Sequence, residues 1–239
     1  MAHISRRELK QDRIRESFEH GAEAVISHQS LLLRIALVVA VAAVAGLGWR
    51  FYTERQTVNA GARLDDAMKV FAARIRAAGE PAEPGEVTYV DEKNKFEDAA
   101  KKFGDVAKAY PRTEPGRLAG YYAALSLENL GRTNQAQEYL QKLAGSSDTE
   151  LSALARFQLA QAYAKAGKTD DAVKLYRQLA DKPTALVPKP LVQLQLAASL
   201  SRTNPQEAIK LFNQIKKDNP EPPISEEADR GLEAVSPKS

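Results

Sequence analysis

Cysteine is absent from the 239 residues. That excludes disulfides, Cys-based zinc sites, a thiol nucleophile and a lipobox cysteine for lipid anchoring. It leaves the compartment open, because domains of this size fold without disulfides on either side of a membrane. Histidine is scarce: His3, His20 and His28 are the only three. None has a carboxylate partner at a recognised metal spacing, so no metal site is expected. An excess of one charge is also missing, with 34 Lys and Arg against 31 Asp and Glu. No basic block forms a face, which argues against nucleic acid as a partner. Neither a nucleophile motif nor a Gly-rich phosphate loop occurs. The paired acids Asp65-Asp66 and Asp170-Asp171 fall at expected helix starts, where carboxylates complement the dipole. No catalytic residue, cofactor or small-molecule substrate is expected, and the chain is not read as an enzyme.

What is present begins with Leu31 to Trp49, nineteen residues carrying one charge, Arg34. As a helix rising ~1.5 Å per residue it spans ~28 Å, close to the ~30 Å of a bilayer's hydrocarbon. Arg34 lies near one end, where its stem can snorkel to the headgroups. Trp49, Arg50, Phe51 and Tyr52 form an aromatic and cationic collar at the other. A buried helix of a soluble protein fits less well, since the run is apolar on every face. A cleaved signal peptide could end at Ala43-Val44-Ala45, but the 30 residues before the run carry five acids, unlike a basic leader. A single span in a lipid bilayer is expected. Ala36/Ala40 and Ala42/Gly46 are small residues four apart that would let another membrane helix pack closely; an Ala-rich composition produces the same pairs. Residues 1–30 read either as an amphipathic helix near the headgroups or as a solvated tail. Charge leaves orientation open: two Lys or Arg precede the span within twenty residues and four follow it, yet the whole tail with Arg34 supplies six.

Beyond the span the chain repeats. Ala99, Ala136, Ala172 and Ala208 are spaced by 37, 36 and 36 residues. Four positions after each stand Phe103, Leu140, Tyr176 and Phe212, and three further on Val106, Leu143, Leu179 and Ile215. A small residue lets two helices cross closely, and a bulky one a turn later fills the groove beside it. Gly131 and Gly167, each five residues before an alanine, fall where a turn needs a left-handed residue. The pattern resembles tetratricopeptide repeats, with Thr203 replacing the glycine of the fourth hairpin. The expected fold is all-α: one transmembrane helix, then an α-solenoid of about four degenerate helix hairpins. The expected divisions are a charged tail (1–30), the span with its collar (31–52), a connecting helix and Pro/Gly-rich loop (53–93, helical from Val58 to Ala78), the repeats (94–220), and a capping helix and tail (221–239).

Solenoids of this kind bind through their inner face, built from the first helix of each hairpin. Spacing places Leu118, Tyr121, Tyr122, Leu125, Phe157, Gln158, Gln161, Leu191 and Gln195 there. One of the two adjacent tyrosines must turn inward, so part of this set belongs to the core. The remainder would be an aromatic-lined groove with amide donors and few charges, suited to an apolar, partly extended polypeptide.

The order of parts, with the span ending Gly48-Trp49-Arg50-Phe51-Tyr52, resembles the ancillary SecYEG translocon subunits of the YfgM type, whose repeat domain is related to that of the cell-division coordinator CpoB. The resemblance implies a single-pass protein of the bacterial inner membrane, with its N-terminus cytoplasmic and its repeats periplasmic. It implies as partners the Sec channel, a membrane-anchored periplasmic chaperone and exported chains. The alternative is a structural adaptor of another cell-envelope complex, in division or outer-membrane assembly, that binds no clients.

Overall fold

The computed structural model describes residues 29–77, 79–81 and 83–235; the tail helix considered above lies outside the described residues. The chain divides into two compact units, Met1–Arg55 and Gln56–Ser239. Helix α1, Gln29–Phe71, contributes residues to both.

In the first unit α1 has no buried face. Its leucines and valines, Leu33, Leu37, Val41, Val44 and Leu47 among them, are exposed all round. A soluble core helix would hide such side chains, whereas this one is long and apolar enough to cross a membrane. Ala36, Ala40, Ala42, Gly46 and Arg34 are likewise exposed along it. In the collar, the Trp49 and Tyr52 rings lie 6.4 Å apart and the Arg55 guanidinium sits 4.8 Å over Phe51.

In the second unit the end of α1 packs against α2, Glu92–Ala109, through a shared apolar cluster and the rings of Phe71, Phe96 and Phe103. Three hairpins follow: α3 (Glu114–Asn129) with α4 (Thr133–Ala144), α5 (Thr149–Lys165) with α6 (Thr169–Asp181), and α7 (Lys189–Leu200) with α8 (Pro205–Asp218). Helix α9, Ile224–Val235, covers the last hairpin, packing on α8 and α7. Four of the helices begin at a side-chain cap. Asp91, Thr113, Asp148 and Asn204 accept from backbone N–H groups of α2, α3, α5 and α8, satisfying donors the first turn leaves open. Gly131 and Gly167 adopt φ of 70° and 75°. Around each, the two N–H groups that follow the helix bond back to carbonyls three and five residues upstream, the Schellman arrangement that ends α3 and α5. The α7–α8 turn, with Thr203, does without a left-handed residue.

All four register alanines are fully buried, and the large residues four positions on are 2 % exposed or less. Three apolar clusters run through the stack, one per junction between hairpins, and neighbouring clusters share Leu118, Tyr122, Tyr139, Leu154 and Leu175. Polar contacts add registration. Ala144 O at the end of α4 accepts from Ser152 Oγ (2.8 Å) and from Arg156, and the Glu150 carboxylate accepts from the N–H of Ala185 and Leu186 before α7.

Two expectations are corrected. The connecting helix ends at Phe71 rather than Ala78, and Arg74–Ile75 pair in parallel with Thr88–Tyr89. The extended Ile75, Val87 and Thr88 are β-branched, and Arg74 reaches Glu80 at 2.7 Å and Glu86 at 3.5 Å. Closing the Pro/Gly loop in this way outweighs the modest helix propensity of the same residues. Asp65 and Asp66 lie within α1, not at a helix start. Asp66 pairs with Lys69 at 2.9 Å, which holds its carboxyl below the usual range.

Candidate functional site

The first helices of consecutive hairpins approach one another directly, α3 meeting α5 and α5 meeting α7. That closeness puts them on the inner side of the stack. Sequence-selected residues on α3, α5 and α7 therefore share one face, but their exposures divide them.

Tyr121 is 9 % exposed and Phe157 7 %. Phe157 packs against Tyr176 at 5.9 Å, inside the cluster of the third and fourth hairpins. Tyr122 is half-buried, stacked on Phe103 at 5.3 Å and edge-on to Phe71 at 5.4 Å. The expected aromatic lining is thus corrected: these rings tie hairpins together. They turn inward because the alanines beside them leave room that only a large side chain fills. Leu118 and Leu125 border the same clusters, half-buried.

What remains on the face is amide and aliphatic. Gln158, Gln161, Leu191 and Gln195 are half-exposed. Gln158 Nε2 donates to the Tyr121 hydroxyl across α3 and α5 at 3.3 Å. Burial pushes that hydroxyl's pKa up, and the Gln158 bond partly restrains it.

Sequence reasoning missed two charges. Glu128 is half-buried at the end of α3; burial pushes its carboxyl up, and the cation of Lys165 at the end of α5 pulls it back. Glu128 lies seven residues after Tyr121 and Lys165 seven after Gln158, two helical turns along the same face, so periodicity could have found both. Because the folded state holds the Glu128 proton more tightly, the residue lowers stability above its raised pKa. That cost disappears below the unfolded value, near 4.5. Glu128→Gln is therefore expected to raise the thermal midpoint modestly at neutral pH and to leave it unchanged at about pH 4. Equal shifts at both pH values would assign the effect to packing instead.

Among the described residues no group of His, Asp and Glu could hold a metal ion. The face offers hydrogen-bond donors and acceptors beside aliphatic surface.

Comparison with protein families gives two matches. A tetratricopeptide repeat-like domain matches residues 30–185, more than half of the chain, and a tetratricopeptide repeat matches residues 191–222. Searches of curated proteins and of solved structures find no match.

Proposed function

Because the chain belongs to the tetratricopeptide repeat-like domain family, a family of protein-interaction modules, we propose that it is a membrane-anchored scaffold that serves the Sec translocon and periplasmic chaperones and receives exported chains. The observation that carries this reading is the inner face itself. Gln158, Gln161 and Gln195 lie half-exposed along α5 and α7 beside aliphatic side chains. Amides donate and accept, so they can pair with the backbone of an extended segment whatever its sequence, which suits a binder of many clients. The exposed apolar part of α1 supplies the anchor, and its Ala36/Ala40 and Ala42/Gly46 pairs supply a surface for a channel helix. The resemblance of the whole arrangement is what supports a periplasmic position for the repeats in this reading.

A photo-crosslinking residue at Gln161 or Gln195, in native membranes, tests this. Adducts with Sec channel subunits, a periplasmic chaperone and exported chains are expected, and Leu125→Arg combined with Gln161→Arg should reduce those formed from Gln195 severalfold with helicity kept. Adducts only with division or cell-wall proteins would favour an adaptor that meets no clients. Protease added to spheroplasts is expected to digest the repeats, and full protection would overturn their periplasmic placement.

A further inference from the structure

A second recess lies on the opposite side of the stack, between the second helices α2 and α4, with α3 as its floor. Its volume is about 720 Å³. Ala100, Ala107, Leu127 and Leu143 give it apolar walls, and Gly120 opens the floor. A Cβ at Gly120 would meet Ala107 and Leu143 at 3.7 and 3.8 Å, so the floor there has room for a methyl group between those side chains.

The charge around it is unbalanced. Lys101, Lys108, Arg117, Arg132 and Lys142 line the recess against Glu97 and Glu138. Arg132 is answered by Glu97 at 2.8 Å, and Arg117 by Asp148 at 3.6 Å. Lys101, Lys108 and Lys142 are exposed, and no ion pair among the described residues engages them. Arg117 also keeps a buried Nε without a hydrogen-bond partner. Three ammonium groups without an ion-pair partner, against the one remaining carboxylate of Glu138, thus surround an apolar cleft in a chain whose charges are otherwise nearly even. Such a rim raises the local concentration of anions and rejects cations.

We propose that this outer recess docks an acidic, extended segment of a partner polypeptide, one apolar side chain resting on Ala100 and Ala107 and flanking carboxylates meeting Lys101, Lys108 and Lys142. A depth that accepts a side chain favours a peptide over the flat surface of a bilayer. The site is separate from the inner face, so a scaffold could hold a partner here while a client occupies the other side.

The test uses the full chain in zwitterionic nanodiscs and a fluorescein-labelled peptide with a phenylalanine between aspartates, read by anisotropy. Binding that weakens with salt is expected, and Lys101→Glu with Lys142→Glu should weaken it about tenfold or more. The triple neutralisation Lys101→Gln, Lys108→Gln, Lys142→Gln should act in the same direction with circular dichroism unchanged, and Lys217→Glu, exposed on α8 outside the recess, should leave affinity as it was. Failure of the wild type to bind, equal binding of a lysine-flanked peptide, or indifference to the lysine variants would overturn the proposal. So would capture of anionic phosphatidylglycerol vesicles with no affinity for the peptide.

Discussion

Phe103→Ala is expected to destabilise the repeat unit by about 3–5 kcal/mol, the cost of removing a fully buried ring whose space cannot close. Phe103 has no exposed surface and stands in contact with Phe71 at 5.9 Å and Tyr122 at 5.3 Å. Its cluster draws Leu64, Ala67 and Val70 from α1, Val106 from α2, and Ala119 and Ala123 from α3. It therefore holds the first hairpin together and fastens it to the second. In a stack where each repeat touches only its neighbours, such a loss acts first at that junction. Domains of this size are stable by about 5–15 kcal/mol, so the substitution removes a large part of the total. A fall in thermal midpoint of about 10 °C should accompany it, followed by circular dichroism in mild detergent. A loss below about 1 kcal/mol would mean the ring is not packed as described.

The second large effect concerns the anchor. Deleting residues 31–52 should move the chain from the carbonate-resistant membrane pellet to the supernatant. Ten Leu, Ile and Val residues lie between Leu31 and Leu47; at about −0.3 to −0.6 kcal/mol each they favour insertion by roughly 3–6 kcal/mol. Arg34 subtracts less than its mid-membrane cost because it sits near an end. A charge in the middle should tip this balance without deletion: Val41→Arg adds about 2.5–3.5 kcal/mol against insertion. A deleted chain that stays in the pellet would show that another part of the protein holds it there.

Both predictions rest on features visible in the sequence to different degrees. The alanine register is a statement about helix crossing, and Ala99, Ala136, Ala172 and Ala208 all turn out fully buried. Gly131 and Gly167 could be assigned because only glycine adopts that backbone without strain. The ladder of Arg74–Ile75 with Thr88–Tyr89 was illegible, because two residues are too few to show alternation. At the inner face, spacing placed the selected residues on α3, α5 and α7 but could not say which rings would be absorbed. Tyr121 and Phe157 occupy groove positions by period, and their size draws them into gaps that the neighbouring alanines leave. Glu128 and Lys165 act together only because α3 and α5 lie side by side.

Local and near-periodic features were determined by the sequence alone: the apolar run from Leu31 to Trp49, the all-α repeat and the glycine turns. Each depends on residues within a few turns of one another, where spacing and stereochemistry suffice. Tertiary structure alone decided the rest. Lys101 and Lys108 on α2 share a recess with Lys142 on α4 because hairpins stack, and that proximity across some forty residues leaves no period to read. Charge that averages to near zero along the chain becomes a cationic rim only when folding brings those three lysines together.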